Sequence, residues 1–196
     1  MSRGQTPSQT VGPFFAYGLT APQYGYEFSG IASDLVAGED ITGEHIRIFG
    51  AVFDGAGERI PDAMIEIWQA DGAGRYARPA DFRGSNQRFR GFGRYGTGTD
   101  AENRYSFLTV KPGSVDGVQA PHINVIVFMR GMLSHAYTRL YFSDEAGANA
   151  TDPVLLTVPE ARRPTLIAAR SDGASGLAYR FDIHMQGEDE TVFFDV

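Results

Sequence analysis

Apolar and polar residues alternate over residues 46–53, where Ile46-Arg47-Ile48-Phe49-Gly50-Ala51-Val52-Phe53 runs into the turn pair Asp54-Gly55. A period of two puts successive side chains on opposite faces, so the segment predicts a β-strand closed by a turn. Residues 63–70 regain strand character before Asp71-Gly72, and further strands are expected at 105–110, 123–128, 135–142, 178–186 and 191–194. Over 178–186 the pattern is clean: Tyr179, Phe181, Ile183 and Met185 alternate with Arg180, Asp182 and His184, predicting one buried and one polar face. Helical signal is weak, with at most a turn or two near 143–146 and 160–163. The sum predicts an all-β fold, a two-sheet β-sandwich with long loops, over residues 41–196.

Two stretches break the rhythm. Residues 72–95 set Arg75, Arg78, Arg83, Arg88, Arg90 and Arg94 among glycines, which predicts a long loop. Such a loop could grip an anion through its guanidinium groups or sit as ion pairs at an interface, and the second reading suits most of the six better. Residues 1–40 have no clear period, yet Phe14, Phe15, Tyr17, Tyr24, Tyr26 and Phe28 make them too apolar for a free tail. They are read as an N-terminal arm packed on something.

Composition narrows the function classes. The 196 residues are enough for one domain with a substantial core, and 24 Gly with 10 Pro stay below the level that signals disorder. A formal charge of −7 repels phosphate backbones and anionic bilayers, so neither nucleic acid nor membrane is an expected partner. No segment reaches the ~20 apolar residues of a membrane span, and the first residues lack a signal-type apolar core. With no cysteine, a cytoplasmic location is expected.

Candidate chemistry is sparse. His122 and Asn124 stand two apart in an expected strand and project from one face, as a strand would offer two metal ligands; a structural hydrogen-bonding pair explains the spacing better. Arg130, at the end of that strand, reads as a solvated turn residue by position alone. There is no phosphate loop, nucleophile elbow, dinucleotide fingerprint or His-Glu-x-x-His.

Taken together, Glu66-Ile67-Trp68-Gln69-Ala70-Asp71 running to Gly74-Arg75-Tyr76, then Tyr105-Ser106-Phe107 to Val110-Lys111-Pro112-Gly113, and Ala120-Pro121-His122-Ile123 resemble the intradiol ring-cleavage dioxygenases. Thr6-Pro7-Ser8-Gln9-Thr10-Val11-Gly12-Pro13, Thr138-Arg139-Leu140-Tyr141-Phe142 and residues 186–196 narrow the resemblance to the α-type subunit of a two-subunit member. The resemblance implies a catalytic β subunit that holds Fe(III) with two tyrosinates and two histidines, hard donors suited to that ion. In this chain Tyr76 and His122 match half of that set. Asn124 replaces the second histidine, residues 113–121 contain no tyrosine, and Val118-Gln119 stands where the catalytic subunit has an arginine before its Pro-x-His segment. Tyr76, His122 and Asn124 therefore mark a vestigial site that holds no metal.

The resemblance further implies that the arm of residues 1–40 packs on the partner β subunit, that Thr10, Gly12, Pro13 and Phe14 form a wall of that subunit's site, and that Arg130 faces the carboxylate of the substrate, 3,4-dihydroxybenzoate. The reaction implied is O2-dependent ring opening to 3-carboxy-cis,cis-muconate. A different class, a non-catalytic β-sandwich binding or structural module, would use the arm and the vestigial site for packing alone.

Overall fold

A computed structural model describes residues 4, 7–27, 32–77, 89–173 and 176–195. Strand β1 (His45–Phe53) forms where the alternation predicts it, with Ile46 and Ile48 buried, His45 and Arg47 exposed and Phe49 half-buried. It is followed by β2 (Met64–Gln69), β3 (Phe92–Gly96), β4 (Arg104–Val110), β5 (His122–Phe128), β6 (Ala136–Phe142), β7 (Ile167–Gly173), β8 (Gly176–Arg180) and β9 (Ile183–His184). Helix is confined, among the described residues, to the short α1 (Ala16–Leu19) and α2 (Ala146–Asn149) and to 3-10 turns such as Glu160–Leu166.

The strands pair along one path, β3-β2-β5-β6-β7-β8-β1-β4, with β9 beside β1. One core draws on both halves of that path: Ile65 and Ile67 of β2, Ile123, Val125 and Val127 of β5, and Ile48, Phe107 and Tyr179 from β1, β4 and β8. The end strands face each other as well, with the Tyr95 and Phe107 rings 6.2 Å apart edge to face. Gly93 permits this approach, since a Cβ there would sit 2.6 Å from Val36 and 3.0 Å from Phe107.

Residues 33–37 cover both ends of the path. Val36 N–H donates to Leu108 O at 2.9 Å and Leu108 N–H to Asp34 O at 2.9 Å on the β4 side. On the other side, Arg90 N–H donates to Val36 O at 2.9 Å and Arg94 N–H to Ser33 O at 3.0 Å. Edge groups that would otherwise invite another strand are thus satisfied within the chain. This part of the arm lies on its own body, with Val36 and Ala37 buried.

Four expectations need correcting. No strand forms over 191–194, where only Phe194 makes an isolated bridge, to Tyr137. The loop expected to 95 ends early: Phe92–Gly96 pairs antiparallel with β2, Trp68 opposite Phe92. Ile167–Gly173 was not expected as a strand, yet it pairs parallel with β6 and antiparallel with β8. The single strand expected over 178–186 is two strands, because the Asp182 carboxylate, not a backbone carbonyl, accepts Ala51 N–H at 3.0 Å. The neighbouring Phe181 carbonyl instead accepts the buried Tyr105 hydroxyl. The alternation still holds across the break, with Tyr179, Phe181 and Ile183 all buried.

Candidate functional site

Antiparallel pairing of β2 with β5 places Trp68 opposite Asn124, so both side chains emerge on one face of the sheet. The turn after β2 brings Tyr76 back through a bridge between Ala70 and Tyr76, and its ring stacks on Trp68 with centroids 6.1 Å apart. Two close approaches build that turn: a Cβ on Gly74, whose φ is +76°, would lie 2.0 Å from Ser114 O, and one on Gly113 would lie 2.5 Å from Gly72 O. Asn124 Nδ2 then donates to Trp68 O at 3.3 Å and to Tyr76 Oη at 3.1 Å. A backbone carbonyl can only accept, so the amide nitrogen must face Trp68 and Tyr76.

His122, on the same face two residues earlier, is buried, with Nδ1 2.8 Å from Ala120 O. That carbonyl fixes the proton on Nδ1. Burial pushes the imidazole below its ordinary pKa and Arg139 adds to the effect, against opposing contributions from the Ala120 carbonyl, Asp152 and Asp116. Ala120 is itself held by the fully buried Asp152, whose Oδ2 accepts Ala120 N–H at 2.9 Å. The other oxygen, Oδ1, accepts Tyr141 Oη–H at 3.0 Å, Val154 N–H at 2.9 Å and Leu155 N–H at 2.7 Å.

Tyr76 and Asn124 are thus bonded to each other, and His122 is tied to its own strand's start. These residues do not fit a ferric centre: one donor of the implied set is an amide whose N–H groups point at the tyrosine oxygen, and another tyrosine is missing. Among the described residues no three His, Cys, Asp or Glu side chains gather as a metal-binding group.

A second convergence lies at the other end of the β2–β5 pair. Gly12, Pro13, Tyr17, Tyr24, Asp62 and Arg130 line a cavity of about 280 Å³, so the arm closes over the residues that follow β5 and precede β2. Of the five predicted substrate-binding residues, Gly12, Pro13 and Arg130 share this cavity. Thr10 stands beside it, its Oγ1 donating to Met129 O at 3.3 Å. Phe14 is 85% exposed, in line with Phe15 and Tyr17, which are about half exposed.

Arg130 keeps 61% of its side chain exposed while its Nε lies 2.7 Å from Asp62 Oδ2, and the Asp62 side chain is only 7% exposed. The contact is an ion pair whose angles miss hydrogen-bond geometry, and both Asp62 oxygens lack a hydrogen-bond partner among the described residues. Asp62 was not anticipated, since Pro61-Asp62 reads as turn chemistry; the signal was the register. Met64 pairs with Phe128, and continuing the ladder by two residues sets Asp62 against Arg130.

The arginine loop resolves in part. Arg75 pairs with Asp71 at 3.0 Å and Arg94 with Glu66 at 2.5 Å, both within the chain. Arg78, Arg83 and Arg88, like Phe28 of the arm, lie outside the described residues.

Residues 19–187 match the family model described as Dioxygenase. The chain is 55% identical to the protocatechuate 3,4-dioxygenase alpha chain of Burkholderia cepacia, with 98% of each chain covered. It is 45% identical to the alpha chain from Pseudomonas putida, over 97% of this chain and 96% of the other. The beta chain from Burkholderia cepacia is more distant, 35% identical over 87% of this chain and 79% of its own length. Among solved structures, an intradiol ring-cleavage dioxygenase from Tetranychus urticae superimposes with a TM-score of 0.60 at 16% identity, over 81% of this chain and 89% of that one, a likeness of fold. The chain therefore belongs to the intradiol ring-cleavage dioxygenase family, alongside the alpha chains of protocatechuate 3,4-dioxygenase.

Proposed function

We propose that this chain is the α subunit of a cytoplasmic protocatechuate 3,4-dioxygenase and forms one wall of an active site whose ferric iron is held by a β subunit. The observation that carries the reading is the contrast between the two ends of the β2–β5 pair. At one end Asn124 and Tyr76 satisfy each other; at the other, a cavity of about 280 Å³ joins the arm to a half-exposed arginine. Alpha-chain relatives at 55% and 45% identity over nearly the whole chain support the subunit type.

In this reading the chain contributes binding and enclosure. Arg130 offers planar donors to the carboxylate of 3,4-dihydroxybenzoate, a pairing that fixes orientation as well as charge. Gly12, with nothing within 4 Å of a Cβ position, leaves room for a ring beside the arm backbone, and Pro13 stiffens the segment. Thr10 ties the arm to Met129, the residue before Arg130, which sets the arm beside the arginine. Phe14 presents apolar surface to the partner. Residues 1–40 act as the arm and 41–196 as the body, a two-layer sandwich supported by the facing of Tyr95 and Phe107 across the core.

The test is purification of this chain alone and co-expressed with a β subunit, with iron content and ring-cleavage activity measured on both. Iron and activity are expected only in the co-expressed sample. Substituting Arg130→Ala in the complex is expected to raise KM for protocatechuate by one to two orders of magnitude, the worth of about 1.5–3 kcal/mol for a charge-assisted contact. An iron-loaded, active isolated chain would overturn the proposal. So would a complex indifferent both to Arg130→Ala and to deletion of residues 1–16, which would leave a non-catalytic structural module.

A further inference from the structure

Arg130 is a long, flexible cation that leaves most of its surface to solvent, and such a side chain loses considerable rotamer freedom when it grips a ligand. What could hold it in place before substrate arrives is Asp62. Its carboxylate is more than nine-tenths buried, lines the same cavity, and has no hydrogen-bond partner among the described residues. Burying an ionised carboxylate without hydrogen bonds is costly unless a counter-ion stands beside it. Arg130 is that counter-ion, with Nε 2.7 Å from Oδ2.

Strand register sets the placement. Met64 faces Phe128, so Asp62 and Arg130 meet two residues beyond, where β2 begins and β5 has ended. The negative charge of Asp62 is also felt across the cavity: the Tyr24 hydroxyl is pushed above its ordinary pKa by burial first, then by Tyr17 and by Asp62.

We infer that Asp62 is a positioning residue for the substrate carboxylate: it anchors the Nε side of Arg130 at the cavity wall and so presents the rest of the guanidinium to the ligand. The inference rests on the proposed role of Arg130. It assigns Asp62 no contact with substrate and no part in the chemistry; its effect falls on recognition of the carboxylate.

The test uses the co-expressed complex with three variants of this chain, Arg130→Ala, Asp62→Asn and Asp62→Glu. Steady-state kinetics are measured with 3,4-dihydroxybenzoate and with an uncharged catechol lacking the carboxylate. Asp62→Asn is expected to raise KM for 3,4-dihydroxybenzoate by a factor on the order of ten, with kcat little changed. KM for the uncharged catechol should stay within about twofold, and Asp62→Glu, which keeps the charge, should recover part of the loss. A purely structural role would instead disturb both substrates alike.

The outcomes separate cleanly. If Arg130→Ala leaves KM for 3,4-dihydroxybenzoate unchanged, the proposed role of Arg130 fails. If Arg130→Ala raises it and Asp62→Asn does not, Asp62 is not a positioning residue. A lowered KM in Asp62→Asn would also overturn the inference, by showing that Asp62 competes with the substrate for Arg130. Should Asp62→Asn fail to assemble, Asp62→Ser, which also removes the charge, carries the test in its place: a KM increase restricted to the carboxylated substrate supports the anchoring role, and unchanged or equally changed kinetics refute it.

Discussion

Replacing Asp152 by Asn should cost far more than the removal of one negative charge suggests. Asp152 is fully buried and accepts four hydrogen bonds, three at Oδ1 and one, from Ala120 N–H, at Oδ2. An asparagine can keep its oxygen on the three-donor side, which turns its NH2 toward Ala120 N–H and sets donor against donor. One charge-assisted bond is lost and a buried N–H is left without an acceptor, together about 2–4 kcal/mol. For a chain of this size that corresponds to a fall in Tm of roughly 6–12 °C. Asp152→Ala orphans all four donors and should exceed the asparagine variant. Asp172 is the control: its carboxylate is 69% exposed and pairs with Arg170 at the surface, so Asp172→Asn should cost less than about 1 kcal/mol. Thermal and urea denaturation of the purified chain and of the complex would measure all three. If Asp152→Asn lies within about 0.5 kcal/mol of the parent, the four-bond account of this residue is wrong.

Other outcomes follow from the same geometry. Gly50→Ala would put a Cβ 1.8 Å from Phe181 O where β1 passes β8, so it should destabilise by about 3 kcal/mol or more, read as loss of soluble protein or a large Tm drop. His122 has a lowered folded-state pKa, so as pH falls through its unfolded value of about 6.5 the unfolded chain takes up a proton first and stability declines, levelling off once the folded imidazole also protonates. Stability measured by urea at pH 7.5 and 5.5 should therefore fall less in His122→Gln than in the parent. Phe14→Ala should leave the Tm of the isolated chain unchanged, since the ring is 85% exposed, while weakening assembly with the β subunit by about 1–3 kcal/mol in a titration of one subunit into the other.

The elements legible in the sequence are those whose two faces differ. β4 and β5 bury alternate residues over most of their length and β1 does so at its start, whereas β6 ends on three consecutive buried residues, Leu140, Tyr141 and Phe142. β3 was hidden because Gly91-Phe92-Gly93 carries turn chemistry, and only pairing with β2 makes it a strand. β7 was hidden because Ala169-Arg170-Ser171-Asp172-Gly173 lacks large apolar residues; its strand conformation is imposed by β6 and β8 on either side. The break at Asp182 is a side chain substituting for backbone, which no periodicity reports. For the site, His122 and Asn124 share a face by spacing alone, but Tyr76 enters through a turn that spacing cannot place and the family resemblance could. Asp62 needed the β2–β5 register, a long-range fact.

That register also sets the distance between the two clusters. Asn124 and Arg130 are six residues apart along the same segment, so the Asn124–Tyr76 pair and the arginine cavity stand roughly 20 Å from each other. At that separation, with no shared partner, changes at the two ends are expected to act additively. The Asn124 end is therefore open ground for redesign: ligands could be rebuilt around His122 without touching the proposed role of Arg130, giving one chain two independent jobs.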